Sequence, residues 1–151
     1  RSEKHKETIQ FGGSTWIPKQ VILGNEKIVG LIPIHRKRFT KKDHYFVDQN
    51  YATDFVTGAL QVIDLEWFIT IGGLNPSLTS NYSDVDICLR AVKDNKKVMY
   101  FGKDIFFYHD ESYTIKSKEI KKDPLNNKAI LSDEILFMNL WDTKTIAKLL
   151  F

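Results

Sequence analysis

Residues 54–90 constrain the fold of this 151-residue chain more than any other stretch, because strand, helix and turn signals follow one another there without a linker. Apolar residues on both faces of 54–63 predict a strand in the centre of a sheet. Asp64 can cap the helix that follows, and Gly72 and Gly73 mark its C-terminal end. The predicted buried face of this helix consists of Leu65, Phe68 and Ile71.

A second helix is predicted to begin at Ser83, where Ser83 and Asp86 have the spacing of a capping box. The helix is expected to end at residues 95–97. Its buried face is predicted from apolar residues at helical spacing: Val85, Cys88, Leu89 and Val92. This register places two acidic side chains, Asp84 and Asp86, in the first turn.

The rest of the chain predicts short elements. Residues 24–26 have turn chemistry, and 35–53 and 116–128 are polar connections. A C-terminal helix is predicted from Ser132, followed by a short one over 143–150. The remaining extended segments are 8–13, 14–23 with an edge or break at Pro18, 28–34, 98–101 and 105–108.

These elements predict one α+β domain. Residues 1–7 are expected to be a charged tail or linker, and residues 8–151 the domain. Because helices and strands do not alternate strictly, we expect a mixed or antiparallel sheet flanked by two or three helices.

Composition excludes several classes of protein. With 42% hydrophobic and 27% charged residues, the chain is globular rather than disordered. A net charge of +3 is too small for a dedicated nucleic-acid binder. No apolar run reaches the roughly 18 residues that span a bilayer, and no signal peptide is visible. The single cysteine, Cys88, is predicted to be a buried, inert thiol.

Four features are candidates for chemistry. A carboxylate at Asp84 or Asp86 would lie at the positive end of a helix dipole and could act as a general base. Gly58 would leave room for a ligand above its strand, His109 could ligate a metal ion, and Arg90 could face a phosphate. Each also has a structural explanation: capping, tight packing, a strand-end hydrogen bond and an internal ion pair.

The order of these features resembles the acceptor-side half of family-2 glycosyltransferases. Those enzymes commonly show a "vtGa" stretch, an amphipathic helix closed by "GGfD", an "EDvDlclR" helix start and a "yHhes" strand end. The likeness covers about residues 8–142. The matching segments here are 56–59 (VTGA), 72–75 (GGLN), 83–90 (SDVDICLR) and 108–112 (YHDES).

The resemblance implies an inverting sugar transfer on half of a GT-A fold, with Asp84 as general base. It implies a divalent metal, Mn²⁺ or Mg²⁺, in the intact enzyme and His109 as a ligand of it. The partners implied are a nucleotide-sugar donor and a saccharide or glycoconjugate acceptor, in a polysaccharide or glycoprotein assembly process. Substrate contacts are carried over to Thr57, Gly58, Asn75, Tyr82, Ser83, Asp86 and Arg90.

The sequence also departs from the family pattern. Ser83 replaces the glutamate before the base, Asn75 replaces an aspartate, and Asp110 stands where some members have a second histidine. The nucleotide-binding half is expected to be absent, since only a charged tail precedes residue 8. We therefore expect the chain to be inactive alone. The family implies a cytoplasmic location, with the inner membrane surface included.

Two other functions stay open. The chain could be a non-catalytic carbohydrate-binding or protein-interaction module on the same scaffold. Basic residues in 35–42, interleaved with Phe39, could also bind an anionic surface, although a solvated loop is the simpler interpretation. A half-domain would leave a sheet face or edge uncovered, so we expect self-association through it.

Overall fold

The computed structural model describes residues 13–36, 49–103 and 124–151. Within them the chain forms two small antiparallel sheets and four helices, as expected for an α+β protein. The predicted tail, residues 8–12 of the first predicted strand, the strand at 105–108 and His109 lie outside the described residues. The strands are β1 (Ser14–Leu23), β2 (Glu26–His35), β3 (Asn50–Ala52) and β4 (Met99–Phe101). The helices are α1 (Leu65–Thr70), α2 (Ser83–Lys93), α3 (Pro124–Leu140) and α4 (Thr143–Leu150).

β1 and β2 form a hairpin whose closing pair is Leu23 and Glu26, so the predicted turn is confirmed. Of the two alternatives expected at Pro18, the break is wrong, because β1 runs through the proline and pairs it with Leu31. The edge is confirmed, because β2 is the one strand that pairs with β1 in the described residues. Counting from the closing pair, Pro18 falls at a pair without ladder hydrogen bonds. A proline nitrogen there faces outward and interrupts nothing.

β3 and β4 form the second sheet, in which Tyr51 pairs with Tyr100 and the ring centroids are 4.9 Å apart. β4 confirms the strand expected near 98–101. β3 lies within the segment predicted as a polar loop, so that expectation is wrong for residues 50–52. The tyrosine pair explains the difference, because cross-strand aromatic contacts stabilise even a short ladder.

The strand predicted over 54–63 is wrong, and these residues are irregular with a turn at Gly58. Phe55 is almost fully buried, whereas Val62 is 96% exposed. The apolar residues do not alternate between two faces, as they would in a strand, because the segment lies against the start of α2. There the side-chain amide of Gln61 donates to Val56 O at 2.8 Å.

α1 has the termini that the sequence predicts. The Asp64 carboxylate accepts a hydrogen bond from Trp67 N at 3.0 Å, and Gly72 and Gly73 follow with φ of 79° and 75°. The buried face predicted for α1 is only partly right. Leu65 is 68% exposed, while Phe68 and Ile71 pack against the core.

α2 starts at Ser83 as predicted, but the capping box is wrong. Tyr82 is the cap residue, with φ of 67° and no side-chain cap bond. α3 begins at Pro124 rather than at Ser132, so residues 124–128 are helical instead of turn-rich. α4 is confirmed, with Asp142 accepting from Thr145 N at 2.8 Å.

The main core joins α2, α3 and α4 to the segment after β3. Its most completely buried side chains are Phe55, Leu89, Phe137 and Ile146. The hairpin meanwhile keeps apolar side chains exposed, at Ile17, Ile22, Leu23 and Val29. Self-association through this sheet stays a prediction.

Gly30 on β2 provides a test of the second core cluster, in which Met138 packs on Val21 and Ile32. A Cβ at position 30 would lie 2.7 Å from Met138 Cγ and 3.1 Å from its Cβ. Gly30→Ala is therefore expected to lower the free energy of unfolding by about 1–3 kcal/mol, measured by urea denaturation.

The matched variant is Gly30→Ala in a Met138→Ala background, where the new methyl group enters vacated space. There the 2.7 Å contact with Cγ is removed and only the 3.1 Å contact with Cβ remains, so the added substitution should cost clearly less than in the parent chain. An equal loss of stability in both backgrounds would contradict the contact between Gly30 and Met138 as the cause.

Candidate functional site

Asp84 lies in the first turn of α2 with a half-buried side chain. One carboxylate oxygen, Oδ2, accepts a hydrogen bond from Gly58 N at 2.7 Å. The other, Oδ1, accepts from Val85 N at 2.9 Å. Since a carboxylate has about four acceptor positions, each oxygen keeps capacity for a further donor. The group is thus fixed by two amides and is not sealed in the interior.

Gly58 lies beside Asp84, but on a turn rather than on the strand expected from the sequence. A Cβ at position 58 would lie 3.1 Å from Asp84 Cβ and 3.4 Å from Oδ2. The missing side chain therefore lets the backbone approach this carboxylate closely. Thr57, just before it, accepts a long 3.5 Å bond from Ala59 N.

Gln61 belongs to this arrangement and was missed in the sequence analysis. Its side-chain amide donates to Val56 O and, at 3.3 Å, to Asp84 O. The residue therefore ties the segment after β3 to the first turn of α2. In the sequence, Gln61 is distinguished as the single polar residue within the apolar run of 59–63.

Asp86 and Arg90 make internal contacts. Asp86 is 3% exposed; its Oδ2 lies 2.9 Å from Arg90 Nε, and its Oδ1 accepts from Trp141 Nε1 at 2.9 Å. Arg90 also donates to Gly73 O at 2.8 Å and, more weakly, to Ile71 O. The pair fixes α2 to Trp141, in the connection between α3 and α4, and to the glycine turn, as the structural explanation expected.

The loop between α1 and α2 carries Asn75 and Tyr82, with Ser83 opening α2. Asn75 Oδ1 accepts from Ser77 N at 3.0 Å, which closes a local turn. The Tyr82 hydroxyl donates to Glu134 Oε2 at 3.0 Å, and its ring stacks on Phe137 at 4.7 Å. Burial raises the pKa of Tyr82, and the carboxylate of Glu134 raises it further.

Asp133 and Glu134 were predicted only as part of a helix start, whereas both are buried within α3. Asp133 Oδ2 accepts from Ser80 N at 2.5 Å and from Asn81 N at 2.9 Å. Their signal in the sequence is an acidic pair followed at once by apolar residues. It is ambiguous because a helix N-terminus has the same composition.

Cys88 lies one turn after Asp84 and is buried, as predicted. Burial raises the pKa of its thiol to about 11. Because the thiolate is the reactive form, this cysteine is inert near neutral pH.

Asp84 does not line either of two surface cavities in the described part of the chain. The first, of about 170 Å³, lies between the two sheets. It is bordered by Arg36, Tyr51 and Asp54, among others. The second, of about 260 Å³, lies beside the end of α4. Apart from His35 and Arg36, the basic segment 35–42 lies outside the described residues.

The described residues form no cluster of three or more His, Cys, Asp or Glu side chains that could hold a metal ion. They do not by themselves provide the divalent-metal site that the resemblance implies. His109, the expected ligand, lies outside them, so both the metal and this ligand stay predictions. Every helix in the described ranges is too short or too polar to cross a membrane.

Comparison of the chain with models of known protein families, with curated proteins and with solved structures finds no match. The functional interpretation therefore depends on the residues themselves. The structure brings Gly58 and Asp84 into contact and groups Asp86 with Arg90. Tyr82 lies directly before α2, the helix that carries Asp84, Asp86 and Arg90.

Proposed function

We propose that this chain is the acceptor-side part of an inverting glycosyltransferase similar to family 2, with Asp84 as the general base. One observation carries the proposal: the Asp84 carboxylate is held by Gly58 N and by its own helix turn, yet stays partly open to solvent. A base must be fixed in this way to meet a hydroxyl group in one geometry.

In the proposed reaction, Asp84 accepts the proton of an acceptor hydroxyl while that oxygen attacks the anomeric carbon of the donor sugar. The new carbon–oxygen bond forms as the bond to the nucleoside diphosphate breaks, and the configuration at the anomeric carbon inverts. The leaving diphosphate takes the bonding electron pair. The free acceptor positions on both oxygens of Asp84 are what this proton transfer needs.

The α2 dipole supports the role of Asp84. Partial positive charge at the helix N-terminus interacts favourably with a negatively charged group placed there. The α+β architecture is compatible with half of a GT-A fold, and we propose that nucleotide binding uses residues outside 8–151. Substrate contacts by Thr57, Asn75 and Ser83 belong to the same proposal.

The test is a transfer assay on the full-length natural protein. UDP-, GDP- and dTDP-sugars would be supplied singly with Mn²⁺ or Mg²⁺ and a set of saccharide acceptors. We expect nucleoside diphosphate release that depends on the acceptor, and a product whose anomeric configuration, read by NMR, is opposite to that of the donor. Retention of configuration would overturn the general-base mechanism, and saccharide binding without release would favour the non-catalytic module.

A further inference from the structure

The segment that leads into α2 is held by two carboxylates of α3 that lie far away in sequence. Asp133 receives the amides of Ser80 and Asn81, and Glu134 receives the hydroxyl of Tyr82. Both carboxylates are buried, so water competes weakly for these bonds. Three consecutive residues are therefore fixed directly before the helix that carries Asp84.

Tyr82 has a backbone conformation that a residue with a side chain adopts rarely, with φ of 67°. Such a conformation persists only where the surroundings determine it. Here the hydroxyl is bound by Glu134 and the ring is stacked on Phe137. Tyr82 O also accepts the hydrogen bond from Asp86 N at 2.8 Å, so its position sets where α2 begins.

Glu134 has a second partner that offers an internal comparison. Lys19 Nζ, on β1, lies 2.6 Å from the same Oε2 atom that Tyr82 contacts. Lys19 has no part in the loop before α2, whereas Tyr82 belongs to it. Removing either Lys19 or Tyr82 therefore takes one partner from the Glu134 carboxylate. Only the removal of Tyr82 also disturbs the loop before α2.

We infer that Asp133 and Glu134 are positioning residues for Asp84: by holding residues 80–82 they keep its carboxylate against the amide of Gly58. The inference rests on the proposed function for its catalytic meaning, since a base works only when it is held in place. The contact between Asp84 and Gly58 is itself measurable without substrate.

The experiment follows the amide proton of Gly58 by NMR in the ¹⁵N-labelled chain. Asp84→Asn defines the effect of losing the charged acceptor, which is an upfield displacement of this resonance. Tyr82→Phe keeps the ring stacking but loses the bond to Glu134, and is expected to displace the resonance in the same direction. Lys19→Met, the matched control, is expected to leave it in place.

Asp133 is tested in the same way. Asp133→Ala should displace the Gly58 resonance, and Asp133→Asn, which keeps an oxygen acceptor for the loop amides, should largely restore it. A Gly58 resonance in folded Tyr82→Phe that moves no further than in Lys19→Met would overturn the inference. Displacement in a protein that lacks sugar transfer would support the positioning and overturn only the proposed reaction.

Discussion

Replacing Asp84 by Asn in the full-length protein is expected to lower the rate of sugar transfer by about 10²–10⁴-fold. The amide has the shape of the carboxylate but one acceptor oxygen, so it can keep the bond from Gly58 N only by giving up the bond from Val85 N, and it cannot take a proton from an acceptor hydroxyl. The chain should stay folded, with a stability loss of about 1–2 kcal/mol from the lost charge at the helix N-terminus and the lost amide acceptor. Initial rates and urea denaturation measure the two effects separately.

Asp142→Asn is the matched control, because Asp142 also lies at a helix N-terminus and accepts a backbone amide. Asn caps a helix about as well as Asp does, so this variant should keep both stability and activity. Undiminished transfer by Asp84→Asn would exclude the residue as the base. Equal losses in both variants would indicate a general effect on folding.

Arg90→Met is expected to cause the largest loss of stability, about 3 kcal/mol in urea denaturation. The substitution leaves the buried carboxylate of Asp86 with Trp141 Nε1 as its remaining described donor. It also removes the donor to Gly73 O, which fixes the turn after α1. We expect the lower end of the range for a broken buried pair, because the Arg90 side chain is 23% exposed.

Lys93→Met, on the exposed side of the same helix, is the control and should change stability by about 0.5 kcal/mol or less. Adding Asp86→Asn to Arg90→Met should recover part of the loss, since a neutral amide does not need a cation. If the double variant is less stable than Arg90→Met alone, the buried charge is not the cause of the destabilisation.

The helix boundaries best predicted from the sequence were those with local signals. The cap of α1 at Asp64 and its end at Gly72 each depend on a few neighbouring residues. A cap requires a short polar side chain a few positions before an amide, and a glycine turn requires φ above zero. The sequence displays both directly.

The predicted strand over 54–63 failed because the segment pairs with neither described sheet. Its apolar residues pack in the core beside α2, where Phe55 also contacts Trp16 of β1. A continuous apolar run is compatible with a central strand and equally with a segment wrapped around a helix. The start of α3 was misplaced for a related reason. Ser132 and Asp133 look like a helix start, but Asp133 uses its carboxylate on loop amides instead of a cap.

The candidate base was accessible to sequence reasoning, whereas its supports were not. The residues alone indicate an acidic pair, Asp84 and Asp86, at the start of a helix, and the resemblance to family-2 glycosyltransferases implies Asp84 as the base. Gln61, Asp133 and Glu134 act on it through contacts with residues distant along the chain; Tyr82 and Glu134, for example, are 52 positions apart. Nothing in a single sequence specifies which distant donor meets which acceptor.

The sequence by itself determined the α+β character, the hairpin turn, the cap of α1, the start of α2 and part of its buried face, at Val85, Cys88 and Leu89. These follow from hydrogen bonds and periodicities that span a few residues. Only the tertiary structure decided that Gly58 touches Asp84, that Asp86 is buried between Arg90 and Trp141, and that α3 holds the loop before α2. Those contacts depend on how the elements pack, because burial makes each polar group take whichever partner packing brings within reach.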